Sequence, residues 1–171
     1  MPLITFQEIT ADNWYEVGQL RVFANQADWI VPNFQSLVEA IYGFSGELAH
    51  LKIMPLAIYA DDAIVGFTMY NTTPQWDRFF IMRMMIDYRY QGNGYGVAAV
   101  RLLLNLFRVY PQAKEAATTY VHGNQAARHV YSTCGFQELG LQNSHELLMW
   151  QTLNPQPQPW TSFWNGAWRG A

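Results

Sequence analysis

The stretch Tyr90-Gln91-Gly92-Asn93-Gly94-Tyr95-Gly96 decides how the chain folds and what it holds. Before it runs Arg78 to Ile86, continuously apolar in character, as expected of a strand covered on both faces. After it, from Gly96 to Tyr110, Val97, Val100, Leu103, Leu104 and Phe107 fall on one helical stripe. Three glycines between a buried strand and a helix leave backbone N–H groups uncovered. The helix adds its unsatisfied first-turn donors and about half a positive charge from its dipole. That combination is an anion site best suited to phosphate, although the same glycines also suit a flexible turn that packs tightly.

Failed alternatives narrow the ligand. A dinucleotide fingerprint G-x-G-x-x-G beginning at Gly92 requires glycine where Val97 stands, and a Walker loop requires Gly-Lys-Ser/Thr, which is absent. The pattern R/Q-x-x-G-x-G/A is met by Gln91, Gly94 and Gly96. In this the loop resembles the pyrophosphate loop of the GNAT superfamily of N-acetyltransferases, which bind acetyl-coenzyme A. Met84-Met85-Ile86-Asp87-Tyr88-Arg89-Tyr90 resembles the strand that lines the pantetheine arm there. Gly123-Asn124-Gln125-Ala126-Ala127-Arg128-His129-Val130-Tyr131 with Gly135-Phe136 resembles the family's second cofactor motif. Asn33 to Ala40, the hairpin Ile58 to Tyr70 and the loop itself are similar to the branch of diamine and spermine/spermidine acetyltransferases. That branch commonly carries lysine at the position of Asn93.

The remaining segments are consistent with such a fold. Leu3 to Ile9 alternates as a half-buried strand does, and Thr10 or Asp12 is placed to cap a helix with Trp14, Val17 and Leu20 on one face. A second helix is expected over Ser36 to Tyr42, with Leu37, Val38 and Ile41 as its apolar positions before a Gly43 to Gly46 break; Gln26 to Asn33 reads as a loop. Leu56 to Tyr59 and Ile64 to Tyr70, joined at Asp61-Asp62, form a hairpin, and a break at Pro74 precedes the next strand. Ala116 to Val121 reads as a strand and Gln125 to Thr133 as a helix closed by Gly135. Phe136 to Leu141 and Glu146 to Gln151 complete the strands. The expected class is α/β (α+β): a GNAT-like mixed, mostly antiparallel central β-sheet flanked by helices on both faces. Residues 1–153 form that domain, and residues 154–171 a proline- and tryptophan-rich tail.

Composition excludes several other roles. Of 171 residues, 13% are charged against about 25% on average, and half are hydrophobic, so disorder is excluded for most of the chain. Net charge is -3 with basic residues scattered singly, which argues against a nucleic-acid partner. No apolar run is long enough to span a bilayer and the N-terminus lacks signal-peptide order, so no membrane partner is expected and a cytoplasmic location is. Cys134 is the only cysteine, which excludes an internal disulfide. His50, His122, His129 and His145 show no metal-ligand spacing, so the metal expectation is none. Trp160, Phe163, Trp164 and Trp168 suggest a tail docked on the body or on a neighbouring subunit, which allows a homodimer.

The resemblance implies transfer of acetyl from acetyl-coenzyme A, as co-substrate, to a primary amine by direct attack in a ternary complex, with a polyamine as the leading small-molecule acceptor. It implies contacts to acetyl-coenzyme A from Met84, Met85, Ile86, Gln91, Gly92, Asn93, Gly94, Tyr95, Gly96, Asn124 and Tyr131. Backbone N–H groups around Met85 would polarise the thioester carbonyl, and Tyr131 would be the catalytic acid or thiolate stabiliser. Asp28, Glu39 and Asp87 are the acceptor-side candidates, each of which also suits a plain surface, turn or capping role. Arg83, the lone charge in its apolar run, is expected to be paired or at an edge, and Cys134 to be packed rather than reactive. The alternatives are acetylation of a protein, aminoglycoside or amino-acid-like amine, and a coenzyme A sensor without turnover.

Overall fold

The computed structural model describes residues 2–43, 52–72 and 78–153. The expectations placed on Gly46, His50, Pro74 and the tail 154–171 lie outside them. Strand β1 (Ile4–Glu8) leads into helix α1 (Trp14–Gln19), a 3-10 turn (Ala24–Trp29) and helix α2 (Asn33–Tyr42). Strands β2 (Lys52–Ala60), β3 (Ala63–Thr72) and β4 (Arg78–Ile86) follow, then helix α3 (Tyr95–Arg108), β5 (Glu115–Val121), α4 (Gln125–Thr133), β6 (Gln137–Leu141) and β7 (Glu146–Thr152). The seven strands form one sheet in the order β1-β2-β3-β4-β5-β7-β6, and β4–β5 is its one parallel pair among the described residues. This is the mixed, mostly antiparallel sheet expected.

Strand alternation sends side chains to two separate cores. Leu56, Tyr70, Phe79 and Ile81 pack with Val100, Leu103 and Phe107 of α3 and Tyr131 of α4. On the other face Ala57, Phe67, Met69 and Met85 pack with Val17 and Leu20 near α1 and Leu37 of α2. Helices therefore cover both faces. Among the described residues no helix is long and apolar enough to cross a membrane.

One extra residue in β4 breaks the regularity. Met69 pairs with Arg83 but Tyr70 pairs with Ile81, so Met82 has no opposite number on β3. A bulge of this kind bends its strand and strengthens the local twist. The parallel pairing of β4 with β5 begins at Arg78↔Glu115, where the two side chains form a buried ion pair at 2.7 Å, and it ends at Ile81↔Thr118. β4 continues to Ile86 and β5 to Val121, so the two strands separate just past the bulge. Arg83 steadies the bend, with Nη1 donating to the Met82 carbonyl at 2.9 Å and Nη2 lying 3.5 Å from Glu39. Arg83 is thus paired in a central strand rather than placed at an edge.

Two sequence expectations need correcting. Helix α2 starts three residues earlier than expected, and of its predicted apolar positions only Leu37 is buried; Val38 is 53% and Ile41 74% exposed. Its inward face is Asn33, Ser36 and Leu37, spaced for one side of a helix. Asn33 donates to the Val17 carbonyl at 2.9 Å and Ser36 to the Pro32 carbonyl at 3.3 Å, so these polar groups are satisfied where they sit. Helix α1 is entered through Asn13 rather than Thr10 or Asp12. The Asn13 side chain accepts from Thr10 N–H at 2.8 Å and donates to the Glu8 carbonyl at 2.9 Å. Val17 and Leu20 are buried as expected, while Trp14 remains half exposed against the Tyr15 and Phe34 rings.

Candidate active site

A cleft of about 460 Å³ occupies the place where β4 leaves β5. Met84 and Met85 both line it, although their side chains belong to the cores on opposite faces of the sheet. The cleft is therefore lined by residues from both faces of the sheet.

On the α3 side the floor is the glycine loop. Gly92 and Gly94 have φ of +80° and +77°, a left-handed backbone that other residues adopt only at a cost. Gly94 is the N-terminal flank of α3, whose first intrahelical bond runs from Ala98 N–H to the Gly94 carbonyl. The N–H groups of Tyr95, Gly96 and Val97 precede it, and all three residues line the cleft. Gly96 lies against α4, where a Cβ would meet Val130 at 3.4 Å, an ordinary van der Waals contact. This cradle can hold a diphosphate on backbone donors alone.

The strand edge supplies a second row of backbone groups. Asp87 N–H bonds the Val65 carbonyl and the Arg83 carbonyl accepts from Thr68 Oγ1, so residues 83, 85 and 87 direct their polar groups toward β3. By alternation Met84 and Ile86 turn theirs to the opening. The Ile86 carbonyl is taken by Gln91 Nε2 at 3.0 Å, which leaves Ile86 N–H with Met84 N–H and C=O as the edge facing the cleft. The donors expected around Met85 thus belong to its two neighbours.

Tyr131, on α4, reaches the cleft from the α3 side with its ring edge-on to Phe136 at 5.5 Å. It is 5% exposed; burial pushes its phenol up to about 12, only partly offset by the hydrogen bond it shares with Thr118. Thr118 in turn donates to the Ile81 carbonyl at 3.0 Å, at the last paired position of the two strands. Tyr131 is thus uncharged and a donor at neutral pH. Asn124 lines the cleft while its Oδ1 caps α4 by accepting from Ala127 N–H at 3.0 Å. Cys134 is half-buried, with its thiol 3.6 Å from the Val97 carbonyl and pushed up by burial.

The cleft brings together Met84, Met85, Ile86, Gln91, Gly92, Gly94, Tyr95, Gly96, Asn124 and Tyr131. Asn93 stands outside it, donating to the Tyr90 and Gln91 carbonyls and so bracing the loop from behind. Asp28 is exposed on the 3-10 turn, and Glu39 is held by Arg83 and Gln35, so neither lines the cleft. Asp87 is 1% exposed and turned inward. It accepts from Arg21 N–H at 2.9 Å, Arg89 N–H at 3.1 Å and Arg89 Nε at 2.7 Å. Burial raises its pKa, but the Arg89 side chain, the two backbone donors and the Arg89 charge outweigh that and hold it below the usual carboxylate value. Asp87 does not line the cleft and serves as a clamp between Arg21 and Arg89, the capping role the sequence also allowed it.

Sequence reading missed the opposite wall, made by Val22, Gln26, Trp29 and Ile30. Gln26, Trp29 and Ile30 lie in the stretch read as a loop, and Val22 lies between it and α1, so no local signal marked them. Among the described residues no group of histidine, cysteine, aspartate or glutamate is placed to hold a metal.

Comparison with known proteins agrees with this geometry. The chain is 29% identical over 140 residues to the spermine/spermidine N(1)-acetyltransferase of Bacillus subtilis strain 168, covering 78% of this chain and 88% of that one. The spermidine N-acetyltransferase of Vibrio cholerae, solved with CoA and spermine, superposes with a TM-score of 0.67 at 12% identity, covering 88% of this chain and 95% of that one. The aminoglycoside acetyltransferase AAC(6')-Ib with coenzyme A gives a TM-score of 0.70 at 15% identity, with the same coverages of 88% and 95%. The profile of the acetyltransferase (GNAT) family matches residues 8–136, which run from the last residue of β1 through α4 and hence include the glycine loop, the parted strands and Tyr131. The chain belongs to the GNAT family of acetyltransferases, with acetyl-coenzyme A as its co-substrate.

Proposed function

We propose that this protein acetylates a primary amine of a polyamine, spermidine, spermine or a diamine, by direct attack within a ternary complex. The observation that carries the reading is a cleft at β4 lined from both faces of the sheet, which gives donor and acceptor separate walls on which to meet. The glycine loop and the α3 N-terminus hold the diphosphate, and the Met84 and Ile86 backbone edge pairs with the extended amide arm of acetyl-coenzyme A. The Met84 and Ile86 N–H groups are the available donors for the charge that develops on the thioester oxygen. Tyr131 offers its O–H to the leaving sulfur.

The acceptor side is Val22, Trp29, Ile30 and Met85, an apolar wall that suits the methylene stem of a polyamine, with the Trp29 ring available to a cationic group. Asp28 and Glu39 lie on the turn and helix of that side and supply charge for distant ammonium groups. An amine of pKa about 10.4 is neutral about once in 2,500 molecules at pH 7, so a proton must leave before attack. No carboxylate lines the cleft among the described residues, and the proton is passed to water. Relatives that act on spermine and spermidine support this choice of acceptor.

The test is consumption of acetyl-coenzyme A across a panel of putrescine, spermidine, spermine, kanamycin and short peptides. The expected outcome is the highest kcat/KM for a polyamine. Turnover confined to kanamycin or peptides removes the polyamine reading, and coenzyme A binding with no turnover on any amine removes the enzymatic one.

A further inference from the structure

Gln26 and Gln91 face each other across the mouth of the cleft and join as two primary amides do. Gln26 Nε2 donates to Gln91 Oε1 at 3.1 Å, and Gln91 Nε2 donates to Gln26 Oε1 at 2.9 Å. Gln91 Nε2 also donates to the Ile86 carbonyl, and Gln26 Oε1 also accepts from Phe23 N–H at 3.3 Å. The pair ties two segments distant in sequence. One is the 3-10 turn, which carries the wall residue Trp29 and leads into Ile30; the other opens the glycine loop. The same two segments are joined again behind the cleft. Tyr88 N–H donates to the Arg21 carbonyl at 2.8 Å, Asp87 accepts from Arg21 N–H, and Phe23 packs edgewise on Tyr88 at 5.7 Å.

We propose that Gln26 is a positioning residue that couples the phosphate loop to the acceptor-side wall. Diphosphate seated on the N–H groups after Gln91 fixes the loop, the loop fixes the Gln91 amide, and the amide pair fixes the turn that carries Trp29. Gln26 touches no reacting atom in this scheme. The inference rests on acetyl-coenzyme A as donor and is independent of which amine is acetylated.

Hydrogen exchange with coenzyme A as the probe tests it. In the wild-type protein, saturating coenzyme A should slow exchange over residues 90–97, and also over 21–30 by about fivefold or more, the lower end of ordinary coupling between sites. In Gln26→Met, nearly equal in shape but without the amide, the response over 90–97 should remain and that over 21–30 should be clearly reduced, the bonds of Arg21 to Asp87 and Tyr88 being left in place. The KM of the best amine should then rise by a similar factor while the Kd of coenzyme A stays within about twofold. Gln26→Glu keeps both accepted bonds and loses the donated one, so it should retain part of the response; it decides the matter if Gln26→Met folds poorly. Protection over 90–97 without protection over 21–30 in the wild type overturns the inference alone, as does a full response in either variant. No protection over 90–97 overturns the donor reading and this inference with it.

Discussion

Tyr131→Phe removes one oxygen from the middle of the cleft and leaves the rest of the side chain in place. The ring is 5% exposed and wedged edge-on against Phe136, contacts that phenylalanine reproduces. What disappears is the hydrogen bond shared with Thr118, offset by relief from burying the hydroxyl, so stability should change by no more than about 1 kcal/mol. With the phenol held up at about 12 and a leaving thiol near 8.5, outright proton transfer would be uphill by roughly 5 kcal/mol. In the proposed role, Tyr131 would therefore act by donating a hydrogen bond to sulfur as negative charge builds there. A charge-assisted bond of that kind contributes about 1.5 to 3 kcal/mol, so kcat should fall by about 10- to 150-fold. The KM for acetyl-coenzyme A should stay within about twofold, because the phosphate loop and strand edge are untouched. The assay is release of free thiol at saturating amine, with coenzyme A affinity measured in parallel by calorimetry. A kcat within about twofold of wild type would refute the role. A loss beyond about 10⁴-fold would refute the hydrogen-bond account in favour of obligatory proton transfer.

Three further outcomes follow from the same geometry. Asp87→Ala should cost about 2 to 4 kcal/mol in urea denaturation, because the N–H groups of Arg21 and Arg89 lose their acceptor; since the native carboxyl sits below its ordinary value, its stabilisation is complete above pH 4 and lost as pH falls through the native pKa, a dependence the variant should lack. Stability should also fall as pH rises from 10 to 12, since burial holds Tyr70 and Tyr131 up at about 12 while the unfolded chain ionises near 10; each contributes up to about 3 kcal/mol, and Tyr131→Phe should remove its share of the alkaline slope. Deleting Met82 restores the count between β3 and β4, so coenzyme A binding by calorimetry should be lost even where circular dichroism reports a folded sheet, and retained binding would show that the bulge does not make the opening.

The elements most legible in the sequence are those whose burial is written in apolar residues. Strand β4 and helix α4 fall on the expected residues, and the stripe Val100, Leu103, Leu104 and Phe107 of α3 is buried as its spacing required. Helix α2 was misjudged because Asn33 and Ser36 occupy its inner face, and a hydrophobic pattern cannot register polar groups that find their partners only in the folded chain. The glycine loop was legible because positive φ selects glycine locally. The Met82 bulge was not, since it is a mismatch between two strands and no property of Met82 itself. Asp87 and Gln26 show the same limit from the side of function. A carboxylate beside a glycine loop and an amide in a periodless segment take their meaning from Arg21 and Gln91, each more than sixty positions away.

An opening made by a count of residues is indifferent to which residue is counted. Replacement of Met82 by another side chain leaves the count, and therefore the parting of β4 from β5, unchanged. On the proposed reading the wall can vary as freely, because the donor would be seated on the backbone of Met84, Ile86 and the glycine loop while the acceptor would meet side chains. Drift by substitution thus retunes the choice of amine and spares the donor, whereas the gain or loss of a single codon within β4 strikes at both.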